Sequence, residues 1–165
     1  MKKVIYSVLA LVFLTIVIAF LPCRPCEQPV TVAASIVVDI PQSEAWEILQ
    51  DFSVPHQYVP DLAATEIVSE LKSGLGAHRR VYNEDGSFIE ETIVEWTQGS
   101  GFVINLHEGS EVMAPFNFAQ FRYLLESDNP DRCRIRVSMS TRMPMGYVGL
   151  ALQKWGIKGV ATESL

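Results

Sequence analysis

The chain has 165 residues, enough for one compact domain together with a short N-terminal segment. Its formal net charge of −6 argues against a nucleic-acid partner, because binding to phosphates needs a clustered basic surface. Three cysteines do not make a disulfide framework.

The N-terminus carries Lys2 and Lys3, followed by an uncharged run from Val4 to Leu21. As a helix this run would span roughly 27 Å at about 1.5 Å per residue, close to the ~30 Å of a bilayer's hydrocarbon core. A cleavable signal has a shorter apolar region and a small-x-small cleavage site, which the exit Ala19–Cys23 lacks. An uncleaved membrane anchor is therefore the favoured interpretation of this segment.

We accordingly predict two parts: residues 1–26 as a single-pass membrane anchor with its juxtamembrane linker, and residues 27–165 as the domain. The two lysines next to the apolar run favour a cytoplasmic N-terminus and a domain outside the cytoplasm. The alternative is secretion after the N-terminal segment is cleaved as a signal.

Cys23 and Cys26 have the C-x-x-C spacing of redox sites. Such a site works at a helix N-terminus that follows a strand, where the helix dipole lowers the thiol pKa. This pair instead precedes the first predicted strand, which favours a juxtamembrane pair that is oxidised if the domain lies outside. Cys133 falls in a predicted strand and is expected to be a small core residue. No Cys/His cluster completes a zinc site, and we predict no metal.

The first elements of the domain are a strand and a helix. A β-branched run over Val30–Ile40 predicts the strand. A helix follows because apolar side chains recur at i, i+3, i+4 and i+7, namely Ala45, Ile48, Leu49 and Phe52. Val54-Pro55 ends this helix, and His56–Pro60 predicts one more short helical turn.

Residues Ala63–Met143 predict a meander of antiparallel strands without any helical period. Clusters of Gly, Asn, Asp, Pro and Ser separate runs rich in Phe, Ile, Val, Tyr and Thr. The six predicted strands are 63–70, 77–83, 88–97, 101–108, 116–126 and 132–143. With the first strand they predict an α+β fold, a curved seven-stranded antiparallel sheet.

The chain closes with a predicted long helix over Tyr147–Leu165, whose apolar stripe is Val148, Ala151, Leu152 and Trp155. Three glycines weaken this helix by about 1 kcal/mol each relative to Ala. We expect the helix to lie across the concave face of the sheet.

Alternation along the strands predicts which side chains point to that concave face. The inward sets are Phe102, Ile104 and Leu106; Ala119, Phe121, Tyr123 and Leu125; and Ile135, Val137 and Met139. For any one of these residues, ordinary core packing is the simplest interpretation.

Candidate catalytic groups are few. Glu91 and Glu95 share a face with Ile93, so either is a candidate general base, although a solvated strand edge is the simpler interpretation. The histidines His56, His78 and His107 are scattered, and His107 lies on the outward face. The sequence has no nucleophile elbow, metalloprotease motif or phosphate loop.

Three segments carry a family resemblance: Ile40–Phe52, the Gly-rich Gly74–Arg79, and Glu91–Trp96 after Asp85-Gly86. In this order they resemble the START-related helix-grip superfamily (SRPBCC), which includes the polyketide cyclase/dehydrase and lipid-transport family and the pollen-allergen-like proteins. The resemblance covers about residues 30–160. It implies an apolar cavity between the sheet and the terminal helix, but no single reaction, because fold alone does not settle function.

On this resemblance, inward strand residues and the terminal helix would line the cavity: Phe102, Ile104, Leu106, Phe121, Tyr123, Val137, Met139, Leu152 and Trp155. Two Met-containing loops would flank its mouth, with Met113, Phe116, Met143, Met145 and Tyr147. Loops folded onto the core are the equal alternative.

We therefore expect a membrane-anchored module that binds a lipid or another hydrophobic small molecule, without chemistry and without a cofactor. Two alternatives stay open. One is a cyclase- or dehydratase-like enzyme that uses a cavity carboxylate or histidine, and the other is an interaction domain with a closed core.

Overall fold

The computed structural model describes residues 2–19 and 24–163 of the chain. Helix α1 (Lys2–Ala19) and the one-turn helix α2 (Arg24–Glu27) precede strand β1 (Val30–Val38), helix α3 (Gln42–Leu49) and a 3-10 turn at Pro55–Gln57. The remaining strands are β2 (Leu62–Ile67), β3 (His78–Asn83), β4 (Phe88–Thr97), β5 (Gly101–Glu108), β6 (Glu111–Val112), β7 (Phe118–Asn129) and β8 (Arg132–Arg142). Helix α4 (Gly146–Glu163) is the last element.

The strands form one antiparallel sheet in the order β1-β8-β7-β5-β4-β3-β2. The two-residue strand β6 pairs with β5 beside this path. The predicted α+β architecture is thereby confirmed in its seven-stranded antiparallel sheet and its C-terminal helix. The strands lie close to the boundaries that the turn clusters predicted.

Helix α3 covers part of one face of the sheet. Its first turn follows Pro41, whose carbonyl accepts a hydrogen bond from the Ala45 N–H at 3.0 Å. Trp46 is buried and packs edge-on against Trp96 at 4.8 Å between ring centroids, with Phe102 next to both. Around these rings lies the core, which includes Phe52, Ile93, Ile104 and the unpaired Cys133.

Helix α4 packs beside β1 and β8 and beside the two N-terminal helices. Its attachment to β8 is polar: the Gln153 amide is buried and donates a hydrogen bond to the Thr141 carbonyl at 2.6 Å. The apolar stripe predicted to face the sheet points elsewhere, with Leu152 47% and Trp155 78% exposed. The expected position across the concave face is therefore not what the structure shows, because the buried side of α4 carries Gln153 instead of the apolar stripe.

The N-terminal segment begins with α1 as expected, and Cys26 is disulfide-bonded. Within residues 2–19 and 24–163, no helix has the length and the apolar character that crossing a membrane requires. Residues 20 and 21 of the predicted span Val4–Leu21 lie outside the described residues. The structure thus gives no support to the membrane anchor, which stays a prediction from the sequence, as does the side of the membrane on which the domain lies.

Candidate functional site

An apolar groove of about 630 Å³ lies between α3, the 3-10 turn and one face of the sheet. This volume is within the range of small-molecule sites. Most of its wall is aliphatic or aromatic, and the lining residues are Ile36, Val38, Ile40, Ala45, Ile48, Leu49, Pro55, Tyr58, Val59, Pro60, Leu62, Arg79, Val81, Ile89, Glu91, Leu106, Phe121, Tyr123, Ile135 and Val137.

The two sides of the groove follow from local structure. The sheet contributes alternate residues of its strands, since side chains two apart point to the same face. The other side comes from α3 and from the turn that follows it, where Pro55 starts the 3-10 helix. Ile36, Ile48 and Tyr58 are among the exposed large side chains, so they mark where the groove opens to solvent.

The groove contains one buried ion pair, between Arg79 of β3 and Glu91 of β4. The Arg79 Nε donates to a Glu91 carboxylate oxygen at 2.6 Å, and the two side chains are only 3% and 9% exposed. A second guanidinium nitrogen donates to the Phe52 carbonyl at 2.9 Å, and the guanidinium lies 3.7 Å from the centre of the Phe52 ring. Arg79 is thus held by three separate contacts.

Two tyrosines adjoin this ion pair. Tyr58 is partly buried at the opening of the groove, and this partial burial raises the pKa of its hydroxyl, an effect that the nearby Arg79 partly offsets. Burial also raises the pKa of Tyr123, with smaller contributions from Tyr58 and Glu91. Both side chains therefore stay neutral at pH 7 and carry hydroxyl groups that can donate a hydrogen bond. We call Tyr58, Arg79, Glu91 and Tyr123 the polar cluster of the groove.

Only one of the two candidate carboxylates reaches the groove. The pairing of β4 with β5 shifts register between Ile93 and Glu95, which indicates a β-bulge. A bulge adds one residue to a strand and so reverses the alternation beyond it. Glu95 is consequently exposed and pairs with Arg122 at 3.0 Å, and the expectation that it shares the face of Glu91 was wrong.

The sequence-predicted cavity residues are divided among three environments. Leu106, Phe121, Tyr123 and Val137 line the groove. Phe102 and Ile104 lie in the closed core, and Met139 packs against it. Leu152 and Trp155 are exposed on α4 and do not line the groove.

The predicted mouth residues lie away from the groove. Met113 and Phe116 pack partly buried against the core. Met143 and Met145 line a separate shallow pocket beside Cys26, and Tyr147 is exposed. Sequence reasoning missed the β1 and α3 sides of the groove, although the alternation of Ile36, Val38 and Ile40 is visible in the sequence.

A second polar assembly lies on the opposite face of the sheet. His78 of β3, Glu90 of β4 and His107 of β5 each offer a ligand atom within 4.8 Å of the other two. Arg80 donates a hydrogen bond to Glu90 at 2.8 Å, and this bond is the main cause of the lowered pKa of Glu90. A hydrogen bond from the Gly109 N–H lowers the Glu90 pKa further. Burial, and then the charge of His107, lower the pKa of His78. We call His78, Glu90 and His107 the outer-face cluster.

Two of the three histidines that are scattered in the sequence therefore meet in space. His56 does not join them, because it lies on the 3-10 turn, where its Nδ1 is 3.1 Å from the Thr65 hydroxyl. No spacing rule in the sequence links positions 78, 90 and 107. Only the pairing of three neighbouring strands brings them together.

The antiparallel sheet, with the two-turn helix α3 after its first strand and the long helix α4 at the C-terminus, has the α+β helix-grip architecture. A family model described as polyketide cyclase / dehydrase and lipid transport matches residues 29–165, and the chain belongs to this family. A search of curated proteins finds no significant match.

Solved structures share the fold at low sequence identity. A START superfamily protein from Mycobacterium smegmatis is 14% identical with a TM-score of 0.58, over 81% of this chain and 91% of that one. Norcoclaurine synthase from Thalictrum flavum, in complex with dopamine and hydroxybenzaldehyde, is 13% identical with a TM-score of 0.57, over 72% and 73%. The Zhui aromatase/cyclase from a Streptomyces species is 14% identical with a TM-score of 0.57, over 70% and 68%.

Proposed function

We propose that this protein binds a hydrophobic small molecule, a lipid or a compound of similar character, whose single polar group meets the polar cluster. The observation that carries the proposal is the composition of the groove. Its volume of about 630 Å³ is enclosed by aliphatic and aromatic side chains, with two neutral hydroxyls and one ion pair grouped together in it.

The ligand's apolar part would lie against β1, β8 and α3, where Val38, Ile135 and Leu49 present only hydrocarbon. Burial of that part supplies the affinity, at roughly 25 cal/mol per Å² of apolar surface removed from water. The orientation would come from Tyr58 and Tyr123, which can donate hydrogen bonds to a carbonyl, hydroxyl or carboxyl oxygen.

The Arg79–Glu91 pair favours binding over acid–base chemistry. A general base needs a carboxylate that is free to take a proton from the ligand. The Glu91 carboxylate is instead committed to Arg79 at 2.6 Å. In this proposal the pair provides a fixed polar wall, and the groove acts as a carrier site.

Helix α4 would cover the groove when the ligand is bound. What supports this part of the proposal is the exposed apolar face of α4, with Val148, Leu152 and Trp155. Helix α4 contacts β1, the strand whose exposed Ile36 marks one side of the opening of the groove. Closing one apolar surface over the other would remove both from water, which is favourable in proportion to the area buried.

The proposal can be tested with a substitution that fills the groove. Val137 of β8 points into the groove, whereas its neighbour Ser138 points to the opposite face. Val137→Phe should weaken binding of a fluorescent fatty-acid probe to the full chain by at least about tenfold. The matched control Ser138→Phe adds the same ring on the other face and should leave probe affinity unchanged.

The expected stability cost of Val137→Phe is no more than about 1–3 kcal/mol, the usual cost of a small-to-large change, since the new ring enters open volume. Equal probe affinity in both variants and the parent chain would overturn the proposal, as would the absence of saturable binding to the parent.

A cyclase-like reaction is the second candidate, because Glu91 and two hydroxyl groups lie within one groove. Its test is a mass comparison of the compounds extracted from the purified parent chain and from Glu91→Gln. A reaction would leave different compounds in the two extracts, whereas a carrier would hold the same compounds in both, at reduced occupancy in the variant.

A further inference from the structure

The outer-face cluster has no role in the proposed ligand site, because it lies on the other side of the sheet. Adjacent residues of a strand point to opposite faces. Glu91 lines the groove, so its neighbour Glu90 faces away from it. Glu90 is paired across β4 and β5 with His107, and across β3 and β4 with Arg80. The cluster is thus held by three neighbouring strands, a rigid support for a site.

We propose that His78, Glu90 and His107 bind a divalent transition-metal ion of the zinc type. The donor set of two imidazoles and one carboxylate is the one that zinc uses in many three-ligand sites, where the fourth position is left to water or a ligand. This proposal goes beyond the binding of a hydrophobic molecule and does not depend on it.

The distances suit a metal after small side-chain rotations. The His78 Nε2 is 3.9 Å from one carboxylate oxygen of Glu90, and the His107 Nδ1 is 3.7 Å from the other. Ligand atoms at about 2.1 Å from a tetrahedral zinc ion stand roughly 3.4 Å apart. The donor atoms therefore need to approach one another by about 0.5 Å in the first pair and by about 0.3 Å in the second. The two histidine donors lie within 4.8 Å of each other, so they need to approach by no more than about 1.4 Å.

The His78 Nε2 is the strongest single indication. It is buried and has no hydrogen-bond partner in the part of the chain that the structure describes. Most buried polar atoms have a partner, and an unpaired one calls for an explanation such as an ion. A metal bound between His78 and Glu90 would supply that missing partner.

The surrounding groups act as an outer shell. The Gly109 N–H donates to Glu90 Oε2 at 2.7 Å and so holds the carboxylate in place. The His107 Nε2 is 2.8 Å from the Thr92 hydroxyl, and its Nδ1 is 2.8 Å from the Gly109 carbonyl. Since a carbonyl only accepts, the Nδ1 carries the ring proton in this arrangement.

Metal binding at Nδ1 would move that proton to Nε2, which would then donate to the Thr92 hydroxyl. The ring changes tautomer with no net gain or loss of protons. A histidine ligand that donates its other N–H to a fixed acceptor is the usual second shell of a metal site. His107 and Thr92 also line a pocket of about 400 Å³ on this face.

Arg80 competes with the metal, because its Nε holds Glu90 Oε1 at 2.8 Å. Its side chain is 39% exposed, so it can turn toward solvent when a cation takes its place. The proposal therefore makes a specific prediction: Arg80→Gln removes the competing charge and should tighten metal binding.

The experiment is a calorimetric titration of the full chain with zinc chloride. We expect one ion per chain, and a loss of at least about 100-fold in affinity for His78→Phe, since removal of an outer-shell partner alone costs about 10–100-fold. His56→Gln is the matched control and should bind as the parent does, because His56 lies on the 3-10 turn outside the cluster. Arg80→Gln should bind more tightly than the parent.

A second measurement uses only the parent chain, so it does not depend on whether the variants fold. In the full chain with ¹⁵N-labelled histidine, zinc should shift the imidazole resonances of His78 and His107 and leave those of His56 unchanged. The proposal is overturned if the parent binds no zinc, if His78→Phe binds zinc as the parent does, or if zinc leaves the His78 and His107 resonances in place.

Discussion

The buried ion pair of the groove allows a stability prediction whose size follows from its environment. Arg79→Met keeps the length of the side chain and removes its charge. It leaves the Glu91 carboxylate unpaired at 9% exposure and takes away the donor to the Phe52 carbonyl. Removal of one partner of a buried ion pair destabilises a protein by about 3–5 kcal/mol, because the other charge stays buried without compensation. We expect Arg79→Met to lower the free energy of unfolding by that amount.

The chain offers a matched control on the same sheet. Arg122 and Glu95 form an ion pair at 3.0 Å, but their side chains are 52% and 57% exposed. An exposed pair contributes about 0–1 kcal/mol, since water and salt screen its charges. Arg122→Met should therefore cost less than about 1 kcal/mol in the same assay.

The assay is urea unfolding followed by circular dichroism, with the free energy obtained by linear extrapolation. A double variant sharpens it: Arg79→Met combined with Glu91→Leu should recover most of the lost stability, because well-packed apolar residues often replace a buried pair without loss. If Arg79→Met costs no more than Arg122→Met, or if Glu91→Leu adds a further loss to it, the reasoning from burial is wrong.

Three further predictions concern backbone, pH and helix α4. Gly101→Ala should lower the free energy of unfolding in urea by about 2 kcal/mol or more, because the φ of Gly101 is +153° and a Cβ there would meet a backbone carbonyl of β7. Its control is Gly99→Ala, which should cost only about 1 kcal/mol, because Gly99 has a φ of +75° and open space around it. The pKa of His78 is lowered from 6.5 in the folded state, so the unfolded chain binds a proton at His78 more readily and the protein loses stability as the pH falls below 6.5. In His78→Phe the urea midpoint should therefore depend less on pH below 6.5, and an unchanged slope would contradict the assignment. Trp155→Ser should change the free energy of unfolding by less than about 0.5 kcal/mol, since the side chain is 78% exposed. If α4 covers the groove, the same variant should bind the fluorescent fatty-acid probe more weakly than the parent chain. Equal binding would show that α4 does not cover the groove.

Much of the sheet could be read from the sequence because its signals are local. Turn residues divide the chain at fixed places, and alternation assigns each strand residue to a face. Phe102, Ile104 and Leu106 are all buried, as the pattern indicated, although Val103 on the other face of the same strand is buried as well. The pattern did not distinguish core from groove, since apolar side chains look the same in sequence whether they touch one another or a ligand.

Two features depended on contacts that no local pattern records. The bulge between Ile93 and Glu95 reverses the alternation and separates two carboxylates that were expected on one face. The hydrogen bond from Gln153 to Thr141 fixes which side of α4 is buried. The apolar stripe had predicted burial of the opposite side, which carries the exposed Trp155. In both cases a tertiary interaction outweighed the local preference.

The sequence by itself determined the family, the order of the strands along the chain and the acidic, apolar-cored character of the domain. The family was indicated by the resemblance of three segments and is shown by the matching family model, whereas the strand order and the character of the domain follow from composition and short-range periodicity. The tertiary structure alone decided that Arg79 and Glu91 meet inside the groove and that His78, Glu90 and His107 meet on the opposite face. Such groups come together through strand pairing and register, and these are set by the packing of the whole sheet and not by any one segment.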